Sequence, residues 1–220
     1  MKKSLAAVVL ALGFASLANA AVTMPKGDAT AGQTKAAVCG ACHGPDGNSM
    51  APNFPRLAGQ NAKYIFKQLS DFKSGRRQNG TMSGMAAPLS EQDMADVAAY
   101  FSSQKGGVDL AKPTLVKDGQ MVFRGGNPKT GVAPCAGCHG PAGKGNEFAA
   151  FPHIGGQHAD YLKAQLKAFR AAGRGDLVTD DQKRTNDAAK AGEQGPMQMI
   201  AGKLSDQEIE NLASYISGLH

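Results

Sequence analysis

The chain has 220 residues, a formal net charge of +6, no tryptophan and 6% aromatic residues. This net charge is smaller than the strong basic excess typical of nucleic-acid-binding proteins, so we expect no nucleic-acid partner. Because aromatic side chains are few, we expect something other than side chains to fill part of the core.

The first twenty residues have the pattern of a secretory signal peptide. Two lysines precede an apolar stretch from Leu5 to Leu17, which is too short for a comfortable membrane span. Ala18-Asn19-Ala20 follows as a cleavage signal. We therefore expect an exported, soluble mature chain that begins at Ala21, with a net charge of +4 once the two lysines are removed.

The rest of the chain is a tandem duplication. Three blocks recur in the same order: 39–43 at 135–139, 53–72 at 150–169, and 82–101 at 197–216. Units of this length are small domains rather than solenoid repeats. We expect an N-terminal domain over 21–104, a linker over 105–116 that is rich in Gly and Pro, and a C-terminal domain over 117–220.

The sequence pattern of each half predicts three helices and no strand. A short helix precedes each block of cysteines, at 29–38 and at 118–124, and a middle helix follows from the apolar spacing of 62–72 and 159–169. The last helix of each half begins at a capping box, Ser90 with Asp93 and Ser205 with Glu208. The predicted fold class is all-α.

The four cysteines form two Cys-x-x-Cys-His motifs, which is the signature of c-type haem attachment. Two thiols one helical turn apart reach both vinyl groups of haem, and the next residue projects over the iron. We therefore predict two covalently attached haem c groups. The covalent positions are Cys39 and Cys42 in the first half and Cys135 and Cys138 in the second, with His43 and His139 as axial ligands.

Three other interpretations of the cysteines compete. Two disulfides are the default for an exported chain, but they leave the histidine after each pair unexplained. A zinc ribbon needs its pairs close together, whereas 92 residues separate Cys42 from Cys135. A thioredoxin-type motif needs a βαβ pattern, and none is present.

The duplication also selects the sixth ligand of each iron. Aligned on the helix caps Ser90 and Ser205, Met82 matches Met197, and no other methionine has a methionine counterpart. A thioether closes the second face of haem and favours the reduced state. We predict Met82 and Met197 as axial ligands, and we expect Met85 and Met199 to pack at the haem edge.

Several shared residues carry weaker expectations. Pro45 and Pro141 could present a carbonyl to the second nitrogen of the ligand histidine, and Gly59 and Gly156 should allow a turn. We expect Tyr64, Tyr161 and Arg124 to lie at the domain boundary and to donate hydrogen bonds to the haem propionates there. The remaining histidines have no counterpart in the first half and should lie at the surface or in hydrogen bonds, with His158 able to cap its helix: His153, His158 and His220.

Taken together, the two motifs, "GNSMAPNFPRLAGQ", "FPHIGGQHADYLKAQL" and the terminal "SYISGLH" resemble the cytochrome c4 family of dihaem class I cytochromes. The resemblance implies two class I domains related by pseudo-twofold symmetry, with facing haem propionates, in the bacterial periplasm. It implies electron delivery from a quinol-oxidising complex toward a terminal oxidase, often with loose membrane attachment, and we expect a monomer. The departure from equal repeats is the polar segment 173–196, which we expect to be an exposed loop.

Three functions follow from these patterns. The first is an electron carrier with two six-coordinate haems. The second is a peroxidase-like enzyme or a sensor, which needs one open iron, and a methionine in both halves argues against that. The third is the haem subunit of a periplasmic dehydrogenase, which would use the same carrier chemistry.

Overall fold

The computed structural model describes residues 23–188, 190 and 192–220, so the predicted signal peptide lies outside the described residues. This part of the chain contains ten α-helices, two short 3-10 helices and no β-strand, which confirms the all-α prediction. The helices of the first half are α1 Ala29–Lys35, α2 Gly40–His43, α3 Ala62–Lys73, α4 Gly80–Ala86 and α5 Glu91–Ser103. Those of the second half are α6 Pro113–Gly125, α7 Ala136–His139, α8 Ala159–Arg174, α9 Pro196–Ala201 and α10 Asp206–Ser217.

Each half closes around a crossing of its first and last helices. In the first half α1 packs against α5, and in the second α6 packs against α10. A glycine lies at each crossing, where a Cβ would meet a backbone oxygen: 2.0 Å from Asp96 O at Gly32, and 2.3 Å from Asn211 O at Gly119. Only glycine therefore lets the two helix backbones approach this closely.

The apolar core of each half contains side chains from its last helix and its middle helix. Phe101 in the first half and Leu212 in the second are fully buried. α3 packs against α5, and α8 packs against α10. Both predicted capping boxes are present. The side chains of Ser90 and Ser205 each accept from the backbone N–H of the third helical residue, and their own backbone N–H groups donate to that residue's carboxylate.

Two expectations about the second half need correction. The helix expected at 118–124 begins at Pro113, inside the predicted linker, because proline is well suited to the first position of a helix. Part of the segment expected to be an exposed loop is buried. Arg184 and Asn186 are 6% and 2% exposed, because residues 184–186 fold back over α3 of the first half.

Among the described residues, no helix combines the length and the apolar character that crossing a membrane requires.

The crossing glycines give a test of the fold. We expect Gly119→Ala to lower the free energy of unfolding by about 2–3 kcal/mol, since the new methyl group would meet backbone that cannot move aside. The matched control is Gly125→Ala at the end of the same helix, where nothing lies within 4 Å of the added carbon. Urea denaturation would measure both variants. An equal effect of the two substitutions would contradict the close-approach argument.

Candidate functional site

A single continuous cavity of about 1860 Å³ runs between the two halves. Ligand pockets in proteins usually measure about 300–1,000 Å³, so this cavity has room for two large ligands. Both predicted attachment motifs and both predicted methionines line it: Cys39, Cys42, His43, Met82, Cys135, Cys138, His139 and Met197.

The attachment motifs form the short helices α2 and α7. In each motif the backbone N–H of the histidine donates to the backbone carbonyl of the first cysteine, four residues before it, at 3.0 Å. This one helical turn places both thiols and the imidazole on the cavity wall. All four cysteines are free, and none is joined in a disulfide. Among the described residues, no group of three or more His, Cys, Asp or Glu could hold a metal ion.

Each motif histidine is fixed through its Nδ1. His43 Nδ1 lies 2.8 Å from the carbonyl oxygen of Pro55, and His139 Nδ1 lies 3.1 Å from that of Pro152. A carbonyl oxygen can only accept, so each Nδ1 carries the proton and each Nε2 keeps its lone pair. Burial lowers the pKa of both imidazoles and favours this neutral form. Each ring is thus prepared as a metal ligand.

The expectation that Pro45 and Pro141 supply these carbonyls is wrong. The Pro45 carbonyl accepts from the hydroxyl of Tyr100 at 2.9 Å instead. Pro55 and Pro152 perform this role, and they match each other in the duplicated block, so the sequence carried the signal.

The methionines are placed by the starts of α4 and α9. The backbone N–H of Met82 donates to the Asn79 side chain at 2.9 Å, and that of Met197 donates to the Asp187 carboxylate at 2.6 Å. Met85 lines the cavity beside Met82. Met199 is 50% exposed and lies outside the cavity lining, so among the methionines described in the second half it is Met197 that reaches the cavity.

Arg77 crosses the boundary between the halves. Its Nη1 donates to Gln68 at 2.8 Å within the first half. Its Nη2 donates to the Tyr161 hydroxyl at 3.1 Å and to Gln165 at 2.9 Å, both in the second half. The guanidinium lies 4.6 Å from the ring centre of Phe72, within the range of a cation–π contact.

Arg184 makes the mirror set of contacts from the second half. Its Nη1 donates to Gln165 at 3.0 Å, and its Nη2 donates to the Tyr64 hydroxyl at 2.7 Å and to Gln68 at 2.9 Å. It lies 4.5 Å from the ring centre of Phe169. Each arginine therefore stacks on a phenylalanine of its own half and bonds the tyrosine of the other half, which is an approximate twofold arrangement.

Neither arginine forms a direct ion pair in the part of the chain that the structure describes. Burial alone would lower the pKa of Arg184, but nearby groups that include the Asp187 carboxylate raise it. Among the described residues, no carboxylate lies within ion-pair distance of Arg77 or Arg184, although both line the cavity. Burying an unpaired cation is costly, so this part of the cavity is suited to anionic groups of a ligand.

The structure places the expected boundary donors as follows. Tyr64 and Tyr161 lie at the boundary, as expected. Arg124 does not, because its Nε donates to Tyr215 at 3.2 Å inside the second half. Sequence reasoning missed Arg77 and Arg184, whose positions in the two halves are not related by the offset of any duplicated block.

The remaining histidines form hydrogen bonds. His158 is 5% exposed, and its ring contacts Asp109 at 2.9 Å and the Ser49 carbonyl at 2.9 Å. It makes no side-chain cap for α8, so that expectation is wrong. His153 contacts the Gly59 carbonyl at 3.1 Å, and His220 contacts that of Gly218 at 3.1 Å. Gly59 and Gly156 have φ of 68° and 71°, the turn conformation expected of them.

Comparison with known proteins agrees with this geometry. The cytochrome c family matches residues 29–105 and 116–220. Cytochrome c4 of Pseudomonas aeruginosa is 51% identical over 220 residues, covering 100% of both chains. The crystal structure of reduced recombinant cytochrome c4 from Pseudomonas stutzeri has a TM-score of 0.79 at 52% identity, covering 88% of this chain and 100% of that one.

A thiosulfate dehydrogenase electron acceptor of Stutzerimonas stutzeri (strain A1501) is also similar. It is 36% identical over 189 residues, covering 84% of this chain and 80% of the relative.

Proposed function

We propose that this chain, which belongs to the cytochrome c4 family, relays single electrons in the periplasm from a quinol-oxidising complex toward a terminal oxidase. Like its relatives it is a dihaem electron carrier rather than an enzyme, with two covalently attached haem c groups. The observation that carries the proposal is the common cavity, which both attachment motifs and both methionines line. Electrons pass quickly between haems whose edges are close, and one shared cavity would hold the two haems close together.

The residues on the cavity wall fit haem. We propose that each half attaches one haem, through Cys39 and Cys42 in the first and through Cys135 and Cys138 in the second. The two halves are the proposed domains 21–104 and 117–220, with 105–116 as the linker between them. His43 and His139 would bind iron through Nε2, since Nδ1 is occupied by a carbonyl. Haem, when bound, supplies a one-electron couple, which the surrounding residues tune.

We propose Met82 and Met197 as the sixth ligands, which leaves neither iron open for peroxidase chemistry. The support is their matched position in the duplication and their backbone anchoring at the starts of α4 and α9. A thioether ligand favours the ferrous state and suits a carrier.

The methionines give the direct test of this function. In the ferric protein, Met82→Ala and Met197→Ala should each remove about half of the weak far-red absorption band of sulfur-ligated iron. Visible spectroscopy and whole-protein mass would be measured together, with two haem masses added to a chain that begins at Ala21.

The matched controls are Met85→Ala and Met199→Ala, which should keep the band. Loss of the band in Met85→Ala would reassign the ligand of the first half. A mass without haem would overturn the proposed function.

We further propose that Arg77 and Arg184 hold haem propionates at the boundary of the halves. Both cations line the cavity, form no ion pair with a carboxylate of the described residues, and have tyrosine and glutamine side chains around them. A carboxylate held by a guanidinium forms a strong, charge-assisted hydrogen bond.

The charge of Arg184 should raise both reduction potentials, because a nearby cation disfavours ferric iron. Arg184→Met keeps much of the side-chain volume, and we expect it to lower both potentials in a spectroelectrochemical titration. Arg124→Met makes the same change of charge away from the cavity lining and should leave them unchanged. Equal shifts in the two variants would show a general charge effect and contradict the boundary role.

A second candidate donor is a periplasmic dehydrogenase. The observation that favours it is the similarity to a thiosulfate dehydrogenase electron acceptor. Stopped-flow reduction of the oxidised protein should distinguish the donors. We expect a purified quinol-oxidising complex to reduce both haems faster than thiosulfate dehydrogenase with thiosulfate does. The reverse order would assign this chain to the dehydrogenase.

A further inference from the structure

Two buried glutamines exchange hydrogen bonds across the boundary of the halves. Gln157 Oε1 accepts from the backbone N–H of Arg56 at 2.9 Å, and its Nε2 donates to the Arg56 carbonyl at 2.9 Å. Gln60 makes the same pair with His153, at 2.7 Å in both directions. Both glutamines are 7% exposed, so bulk water competes little for these bonds.

The orientation of each side-chain amide is fixed by its surroundings. Oε1 of Gln157 also accepts from the N–H of His158 at 3.0 Å, and Oε1 of Gln60 accepts from that of Asn61 at 3.0 Å. Two backbone donors converge on each oxygen, and a carbonyl faces each nitrogen. Reversing either amide would break all of these bonds.

The peptide groups bound in this way are the ones that orient the axial histidines. The N–H of Arg56 and the carbonyl of Pro55 belong to one peptide group, and that carbonyl accepts from His43. In the second half, the N–H of His153 and the carbonyl of Pro152 belong to one peptide group, which accepts from His139. A glutamine of each half is thus linked to the histidine of the other half through a single peptide group.

Such a chain transmits polarisation. When Oε1 of a glutamine accepts from a peptide N–H, electron density shifts toward the carbonyl oxygen of the same peptide group. The stronger acceptor draws the Nδ1 proton of the histidine and makes the imidazole a more electron-rich ligand. An electron-rich ligand stabilises ferric iron and lowers the reduction potential.

We propose that Gln157 and Gln60 are positioning residues for electron transfer, each setting the ligand strength of the histidine in the opposite half. Gln157 lowers the potential of the haem on His43, and Gln60 lowers that of the haem on His139. This inference rests on the axial roles proposed above for the two histidines.

The test is a pair of variants with opposite outcomes. Gln157→Ala should raise the ferrous-to-ferric ratio of the first-half haem at a fixed potential by about two- to fivefold and leave the second haem nearly unchanged. Gln60→Ala should do the reverse. NMR during a redox titration, with the haem methyl signals assigned to each half, would follow the two irons separately.

Asn61→Ala is the matched control. The side chain of Asn61 donates across the same boundary to the carbonyls of Phe151 at 2.6 Å and Lys144 at 3.3 Å, but not to the His153 peptide group. The variant removes boundary hydrogen bonds of the same kind, and both potentials should stay unchanged. As a second readout, the ¹⁵N signal of His43 Nδ1 should move in Gln157→Ala and stay in place in Gln60→Ala.

The outcomes separate this inference from the proposed function. Three results would overturn the inference: a shifted potential of the haem in the substituted half, equal shifts of both potentials, or no shift. The proposed ligands would still stand in these cases if the unsubstituted protein shows the far-red band. Absence of that band from the unsubstituted protein would overturn the proposed ligands and this inference together.

Discussion

The hydrogen bond from each motif histidine to a proline carbonyl is the interaction on which the site depends. A buried imidazole needs a partner for its N–H, and the carbonyls of Pro55 and Pro152 provide it on one side only. The opposite nitrogen keeps its lone pair on a ring that lines the cavity, and we propose that it binds the haem iron. Proline has no N–H of its own, but the residue after it does, and that N–H points to the other half. In each half, one short loop thus serves both the proposed iron site and the domain boundary.

The predictions that succeeded came from local or repeated signals. A capping box is encoded within four residues, so Ser90 and Ser205 marked the two last helices correctly. The positive φ of Gly59 and Gly156 likewise occurs where both repeats have glycine. Such features need no knowledge of how the halves meet, which is why the sequence alone sufficed for them.

The predictions that failed concern contacts between distant segments. Pro45 is closer in sequence to His43 than Pro55 is, yet the chain must turn back before a carbonyl reaches Nδ1. Arg184 lies in a polar stretch that has the composition of a solvated loop, and only its contacts with Tyr64 and Gln68 show that it is buried. Long-range pairing of polar groups leaves no periodic signal in a sequence, so the boundary could not be predicted.

The boundary also links geometry to driving force. Electron flow between two haems depends on their separation and on the difference between their potentials. The crossed contacts of Arg77 and Arg184 hold the halves at a fixed distance, and the exchanged bonds of Gln60 and Gln157 reach the peptide groups behind both ligand histidines. Because these contacts run in both directions across the boundary, we expect a change in the packing of the halves to affect both haems. We expect a difference in potential to arise where the halves are unequal, and one such place is the stretch 184–186, which brings Arg184 and Asn186 onto Gln68 and Asp71 of the first half.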